Sequence, residues 1–273
     1  VNQIKGKVPE ILPHNMLGQY SLIKRESAYF AIHAPRDEQE AKKAQFRLKF
    51  DELFFLQLEL LIRKQVAETK AKGYEFPAVG APFETFYEKY IPFDLTGAQK
   101  RVLKEIRSDL RTGKHMNRLL QGDVGSGKTL VALLTMLFAV GNGFQAALMA
   151  PTEILAQQHF ITIQELLAPM DMKVAILTGS SKTKERRILH EQLENGEIDL
   201  LIGTHALLEP KVVFKNLGLV VIDEQHRFGV AQRARLWKKN TSPPHVLVMT
   251  ATPIPRTLAM TFYGDLDVSV IDE

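Results

Sequence analysis

Short apolar runs alternate with longer, helix-like segments from residue 117 to the end of the chain. Runs such as Leu219-Val220-Val221-Ile222 contain no polar residue, which is typical of strands buried on both faces of a sheet. Most of the segments between them have the apolar spacing of helices. The pattern predicts an α/β fold with a parallel sheet flanked by helices. The predicted strands are 118–121, 145–150, 173–178, 200–203, 219–223, 246–250 and 268–271.

The residues before this region show three successive patterns. Residues 1–35 have scattered apolar positions without a lasting period, which predicts a connecting segment of short helices or turns. Within residues 36–92, apolar residues first recur at spacings of three and four, which predicts one long helix ending near Gly73. Asp37 has the position of its N-cap, and Glu40 would complete a capping box. The rest of this range is rich in proline and aromatic residues and is predicted to be a linker that packs on the next domain.

The composition is that of a globular protein, with 45% of the 273 residues hydrophobic and 24% charged. This length can bury a full α/β core and leaves room for a smaller second unit. The net charge of +4 permits an anionic partner without demonstrating one. The chain has no cysteine, which excludes disulfides and thiol chemistry and is compatible with a reducing, cytoplasmic environment.

Neither a membrane span nor a secretion signal is predicted. The longest apolar stretch, residues 130–140, is too short to cross a bilayer. The first residues lack a signal-peptide pattern. Because the chain begins without Met and ends directly after a predicted strand, we expect it to be a piece of a larger protein.

A complete phosphate-binding motif lies between the first predicted strand and the helix after it. Residues 122–129 fit G-x-x-x-x-G-K-[ST], in which backbone N–H groups and the helix N-terminus surround phosphate oxygens. Lys128 would reach the β- and γ-phosphates, and the Thr129 hydroxyl would ligate Mg²⁺. The predicted nucleotide-binding residues of the loop are Gly122, Asp123, Val124, Gly125, Ser126, Gly127, Lys128 and Thr129.

Two adjacent carboxylates follow the apolar strand at 219–222. Ligands of open α/β sheets bind at the carboxyl ends of the strands, so Asp223 is placed to hold Mg²⁺ and Glu224 to orient and deprotonate a water molecule. A solvated acidic turn is the alternative. The phosphate loop upstream favours the catalytic interpretation, because phosphoryl transfer to water needs both roles.

The strand predicted at 246–250 ends in two hydroxyl residues before a Pro-x-Pro segment. The hydroxyls of Thr250 and Thr252 have the position to bond to the carboxylates or the γ-phosphate and so to report the nucleotide state. Without further context, a plain turn is the simpler interpretation.

Together these three segments resemble motifs I, II and III of superfamily-2 helicases. The longer stretches 223–229 and 249–259 are similar to the RecG family of ATP-dependent DNA helicases, and the transcription-repair coupling factors share similar motifs as an alternative. The resemblance implies a RecA-like ATP-binding domain over residues 93–273, with ATP and Mg²⁺ as cofactors and branched DNA, such as stalled forks and recombination junctions, as partner. Residues 31–33 and 46–53 resemble the segment that joins the wedge domain of that family to its motor.

The resemblance also implies roles for individual residues. Gln99 would contact adenine, with Phe93 against the ring, although Gln99 also fits a capping box with Thr96. His226, beside Glu224, would couple nucleotide state to the motif that contains Thr250 and Thr252. Arg256 would serve the same coupling, with a surface ion pair as the alternative. The predicted contacts to the DNA backbone are Pro151, Thr152, Thr178, Gly179, Gly203, Thr204 and His205.

The sequence also departs from the family in what it leaves out. We find no second RecA-like domain with its arginine finger and no wedge domain, so these would be partners from the same protein. A transport ATPase is one rival, but it would have a Leu-Ser-Gly-Gly-Gln-type segment, which we do not find. A nucleotide-gated interaction module without turnover is the other rival.

Overall fold

A computed structural model of the chain describes residues 6–70, 72–91, 93–223, 242–252 and 266–273. The chain divides into two compact units, Val1–Arg63 and Lys64–Glu273. Within the described residues, no helix combines the length and the apolar character that a membrane crossing requires.

The first unit is helical. It contains α1 (His14–Gln19), α2 (Arg25–His33) and most of α3 (Glu38–Lys70), which confirms the predicted short helices and the long helix. Asp37 begins α3, because its Oδ1 atom accepts the Glu40 N–H at 2.7 Å. The Glu40 carboxylate bonds to the N–H of Arg36 rather than to that of Asp37, so the predicted capping box forms with a one-residue shift.

A fully buried arginine bonds several segments of this unit to one another. The Arg47 guanidinium donates to Asp51 Oδ1 at 2.9 Å, to Glu10 Oε1 at 2.5 Å and to the Ile23 carbonyl at 2.8 Å. Burial alone would raise the pKa of Glu10, but the hydrogen bonds from Arg47, Arg25 and Leu12 outweigh it and hold the pKa at about 2. The cluster therefore joins α3 to the segment that precedes it.

The second unit is built on a seven-stranded parallel sheet, as the apolar pattern predicts. Its spatial order is β3-β4-β2-β5-β6-β1-β7. All seven predicted strands are present, with ends that differ by at most two residues. The strands are β1 (Asn117–Gly122), β2 (Gln145–Met149), β3 (Val174–Leu177), β4 (Leu200–Gly203), β5 (Leu217–Asp223), β6 (His245–Thr250) and β7 (Asp267–Ile271).

Helices cover both faces of this sheet. Successive residues of a strand point to opposite faces, so Leu119 and Leu120 of β1 belong to two separate hydrophobic clusters. The central helix α6 (Lys128–Gly141) is buried from Leu130 to Ala139, which explains its lack of a polar face. The other helices of this unit are α4 (Ala81–Thr85), α5 (Gly97–Leu110), α7 (Glu153–Leu167) and α8 (Thr183–Asn195).

The segment predicted as a linker has more regular structure than expected. It contains α4 and a π-helical turn, Phe86–Tyr90. The ring of Phe83 stacks on that of Phe138 in α6 at 4.3 Å, and Phe86 is fully buried. Aromatic residues favour this ordered path because they cover the apolar surface of α6.

Candidate nucleotide and DNA site

The predicted site residues meet along one edge of the sheet, where the parallel strands end. The pairing places Gln121 beside Thr250 and Met249 beside Asp223, so the phosphate loop, Thr250 and Asp223 start from neighbouring strands. On the other side of β5, the ends of β2, β4 and β3 follow in register. In spatial order the edge carries Thr178, Thr204, Pro151, Asp223, Thr250 and Gly122. We call the part with Asp223, Thr250 and Gly122 the nucleotide half and the part with Pro151, Thr204 and Thr178 the predicted DNA half. The two halves meet between β5 and β2.

The phosphate loop has the backbone that its motif requires. Gly127, with φ of +82°, is the N-cap of α6 (Lys128–Gly141), and Gly125 also has a positive φ. Lys128 Nζ donates to the carbonyl oxygens of Gly122 and Asp123, both at 2.7 Å. Val124 at the tip is almost fully exposed, and the Thr129 side chain lies in the first turn of α6. The loop is thus closed on itself through the lysine that is predicted to reach phosphate.

Gln99 connects the start of α5 to this loop. It forms a complete capping box with Thr96, whose Oγ1 accepts the Gln99 N–H at 3.2 Å while Gln99 Oε1 accepts the Thr96 N–H at 3.0 Å. The remaining Nε2 atom donates to the Ser126 carbonyl at 2.9 Å. Phe93 is 58% exposed. The cap is therefore confirmed, and the contacts of Gln99 and Phe93 with adenine stay predictions.

A cavity of about 340 Å³ opens beside the loop. Asp123 and Ser126 form one wall, and Asp272 and Glu273 form part of another. That second wall is tied to α5, because Glu273 Oε2 accepts the Ala98 N–H at 3.1 Å and Arg101 pairs with Asp272 at 2.7 Å. The Ser126 hydroxyl is buried and has no hydrogen-bond partner in the part of the chain that the structure describes.

Asp223 bonds to a histidine that the sequence did not indicate. His159 Nε2 lies 2.8 Å from Asp223 Oδ2, and the two side chains are 13% and 14% exposed. His159 belongs to α7, which follows β2, the strand next to β5. No motif or spacing distinguishes this histidine in the sequence, since its partner is 64 residues away.

The residues near Asp223 fit a magnesium ion. Mg²⁺ prefers oxygen ligands and takes few of them from the protein, and the Thr129 hydroxyl and the Asp223 carboxylate are oxygen donors of that kind. Among the described residues there is no cluster of three or more His, Cys, Asp or Glu side chains that could hold a metal ion by themselves. The predicted roles of Glu224, His226 and Arg256 fall outside the described residues.

The end of β6 carries an internal hydroxyl pair. Thr250 Oγ1 lies 2.7 Å from Thr252 Oγ1 and accepts the Thr252 N–H at 3.2 Å. Thr250 is buried between the phosphate loop and Asp223, whereas Thr252 is exposed. This position is suitable for the coupling role predicted for both residues.

In the predicted DNA half, one carboxylate bonds the start of α7 to the turn after β3. Thr152 is the N-cap of α7, with its Oγ1 accepting the Leu155 N–H at 3.3 Å. The next residue, Glu153, accepts the Ser180 N–H at 3.1 Å and the Ser180 hydroxyl at 2.7 Å, and the hydroxyl bond leads the effects that lower the pKa of Glu153. A Cβ atom on Gly179 would lie 2.8 Å from Glu153 Oε1, so glycine leaves room for this contact.

The remaining predicted DNA contacts differ in accessibility. Gly179 and His205 are exposed and Pro151 is half-buried, whereas Gly203 is buried at the end of β4. Thr178 is 8% exposed, and its hydroxyl lies 3.0 Å from that of Ser180. Thr204 is 2% exposed, and its buried hydroxyl has no hydrogen-bond partner among the described residues.

The helicase motifs are matched across most of the α/β region. The model of the DEAD/DEAH box helicase family matches residues 96–261, which is more than half of the chain. The chain belongs to the DEAD/DEAH box helicase family. It is 50% identical over 268 residues to an ATP-dependent DNA helicase RecG from Synechocystis, and 49% identical over 266 residues to the RecG of Streptococcus pneumoniae.

A solved structure of RecG bound to a three-way DNA junction is also similar. Its identity to this chain is 44% and its TM-score is 0.80, over 97% of this chain and 35% of that one. These matches confirm the expected RecG resemblance and the RecA-like fold, and they do not favour the transcription-repair coupling factor. The Synechocystis and Streptococcus matches cover 98% and 97% of the chain, which spans only 32% and 39% of those relatives' lengths.

Proposed function

We propose that this chain is the ATP-binding lobe of a RecG-type DNA helicase that remodels branched DNA. The observation that supports this most is the juxtaposition of the phosphate loop, Thr250 and Asp223 on three neighbouring strands. The structure of RecG bound to a three-way DNA junction, similar over nearly the whole chain, supports branched DNA as the partner. The remaining parts of the motor and the wedge domain would come from the rest of the protein, which would act in the cytoplasm.

The nucleotide half would bind and orient ATP. Lys128 would exchange its two carbonyl partners for phosphate oxygens, which are stronger acceptors because they are charged. The unpartnered Ser126 hydroxyl and the N–H groups at the start of α6 would add neutral donors. Thr129 and Asp223 would hold Mg²⁺, which spreads the charge of the transferred phosphoryl group when it is bound. Glu224 would orient and deprotonate the attacking water.

The DNA half would bind backbone phosphates without reading sequence. N–H groups and hydroxyls at strand ends suit phosphate, and such contacts fix position rather than specificity. The exposed Gly179 and His205 are accessible to a strand as they stand. The buried Thr204 hydroxyl would need its turn to move before it could donate to phosphate.

ATP hydrolysis by the intact protein tests this function. We expect slow turnover without DNA and faster turnover with a three-way junction than with linear duplex of the same length. The Lys128→Ala protein is the matched control and should lose turnover under all three conditions. Equal rates with and without every DNA substrate would reject the proposal, and an absence of turnover under all conditions would favour a nucleotide-gated interaction module.

A further inference from the structure

His159 joins the two halves of the site through one hydrogen bond. Its Nε2 atom lies 2.8 Å from Asp223 Oδ2, and both side chains are largely shielded from solvent. A carboxylate only accepts hydrogen bonds, so the ring donates from Nε2. We propose that His159 is a positioning residue that orients the Asp223 carboxylate and couples it to DNA bound at the start of α7.

The helix that carries His159 begins in the predicted DNA half. Thr152 caps α7, and Glu153 in its first turn holds the Ser180 turn by two hydrogen bonds. His159 lies seven residues after Thr152, a distance of about 10 Å along a helix. A helix moves as a rigid unit over that length, so a displacement of its first turn also displaces the imidazole.

The orientation of the Asp223 carboxylate is sensitive to small displacements of His159. Mg²⁺ requires nearly ideal ligand geometry, so rotation of the Asp223 carboxylate changes how well it serves as a ligand. A hydrogen bond to Oδ2 limits the rotation of the carboxylate, and the Oδ1 atom would be the one that could serve a metal ion or its water. Partners of this type typically alter metal affinity or activity by about 10–100-fold when they are removed.

Coupling of this kind is reciprocal. If DNA at the start of α7 changes the orientation of Asp223, DNA must change the affinity for Mg-nucleotide, and Mg-nucleotide must change the affinity for DNA by the same factor. This inference rests on the proposed function, because it assumes that both ligands bind to the edge of the sheet. The hydrogen bond between His159 and Asp223 would couple the two ligands through residues that neither the phosphate loop nor the helicase motifs identify.

The test uses three variants of the intact protein. His159→Phe fills the same space without a donor, and His159→Gln retains an N–H group at similar reach. Gln164→Ala changes an exposed residue of the same helix and serves as the control. The measurements are the affinity for Mg-ADP by calorimetry, with and without a three-way junction, and the rate of ATP hydrolysis under the same two conditions.

We expect DNA to change the Mg-ADP affinity of the parent by at least about fivefold, the lower end of typical coupling factors. In His159→Phe, the ratio of the Mg-ADP affinities with and without DNA should fall to about one, and DNA-stimulated turnover should fall by about tenfold or more. His159→Gln should recover part of the affinity ratio and part of the turnover. Gln164→Ala should match the parent.

Four results would overturn the inference. A His159→Phe protein with the parental affinity ratio would show that the bond carries no coupling. Equal losses in His159→Phe and His159→Gln, accompanied by a lower unfolding temperature, would show a purely structural role. A parent that hydrolyses ATP in response to DNA, but binds Mg-ADP equally with and without it, would overturn the inference and leave the proposed function intact. A parent without DNA-stimulated hydrolysis would overturn both.

Discussion

The Nε2 atom of Gln99 donates to the carbonyl oxygen of Ser126 at 2.9 Å, which bonds the capping box of α5 to the phosphate loop. The same atom lies 2.4 Å from the position that a Cβ atom on Gly127 would occupy. The two residues therefore restrict each other: Gly127 leaves space for the amide, and the amide fixes the backbone before α6.

This contact predicts a non-additive pair of substitutions. Gly127→Ala should destabilise the protein by the strain of a positive φ, about 1–2 kcal/mol, and additionally by collision with Gln99. Gln99→Ala removes the collision, so the cost of Gly127→Ala should be smaller in that background. Urea unfolding of the four proteins measures the difference.

Gly125 provides the control for that cycle. It also has a positive φ, but among the described residues other than its two chain neighbours no atom lies within 4 Å of its hypothetical Cβ. Gly125→Ala and Gln99→Ala should therefore add within error. Additive effects for the Gly127 pair as well would contradict the proposed contact.

Lys128→Ala should weaken nucleotide binding by about 1.5–3 kcal/mol, the typical value of a charge-assisted hydrogen bond. The substitution removes the cation that bonds to two loop carbonyls here and would bond to phosphate with nucleotide. Calorimetry with Mg-ATP and Mg-ADP measures the loss. Lys100→Ala, an exposed lysine of α5, should bind as the parent does. Equal affinity for Lys128→Ala and the parent would refute the assignment of the loop.

Substitutions of Asp223 and Glu224 should affect different steps, nucleotide binding in the first case and ATP hydrolysis in the second. Asp223→Ala should reduce the Mg²⁺-dependent part of nucleotide affinity, because it removes a carboxylate ligand. Glu224→Gln should keep nucleotide affinity and lose turnover in the intact protein, because an amide cannot accept the proton. Parental hydrolysis by Glu224→Gln would show that another group is the base.

The stability of the sheet unit should depend on pH through His245. Burial lowers the pKa of His245, a hydrogen bond to the Tyr74 carbonyl raises it, and the nearby His115 lowers it, which together bring it from 6.5 to about 4. The unfolded chain therefore takes up this proton first as the pH falls. Stability should decrease between pH 6.5 and about 4, by up to about 3 kcal/mol from this residue, and level off below that range.

His245→Gln provides the comparison, since glutamine does not titrate. The variant should show a smaller decrease in unfolding free energy between pH 7 and pH 4.5 than the parent. Parallel stability curves for the two proteins would assign the pH dependence to other groups.

The chain alone should bind nucleotide but neither unwind DNA nor hydrolyse ATP efficiently. It spans only 32–40% of the length of its RecG relatives from Synechocystis, Streptococcus pneumoniae and Bacillus subtilis. An arginine supplied across the cleft by a second lobe is worth about 10³–10⁵ in rate in comparable sites. ATP hydrolysis with forked DNA, compared between this chain and a chain extended by the second lobe, measures the difference. Similar rates would mean that residues 93–273 hold a complete catalytic set.

The sequence was sufficient for the elements that local pattern determines. All seven strands could be predicted because each contains a short run of apolar residues, and β2, β4 and β6 are buried along their whole length. Thr96 with Gln99 showed a complete capping motif. Two kinds of feature could not be predicted. The order of α4 and the π-helical turn depends on the surface of α6, which has no local signal in residues 73–95.

Long-range polar contacts were the second kind. The bond from His159 to Asp223 joins residues 64 apart, and that from Gln99 to Ser126 joins residues 27 apart. Each bond depends on how two elements pack, and the local sequence around neither side chain indicates its partner. The sequence could therefore indicate the groups predicted to contact the nucleotide, but not the neighbours that hold those groups in place.

The order of the strands also means that parts of the edge where the site lies differ in how readily they open locally. β5, β6 and β1 each pair on both sides, whereas β3 lies at the rim and pairs with β4. Rim strands open locally at lower free energy than central ones. The Thr178 turn leaves the rim strand, and the phosphate loop leaves a central one. The Thr178 turn, in the half proposed to bind DNA, can thus loosen and re-form repeatedly while the phosphate loop keeps its shape, as the proposed motor would require.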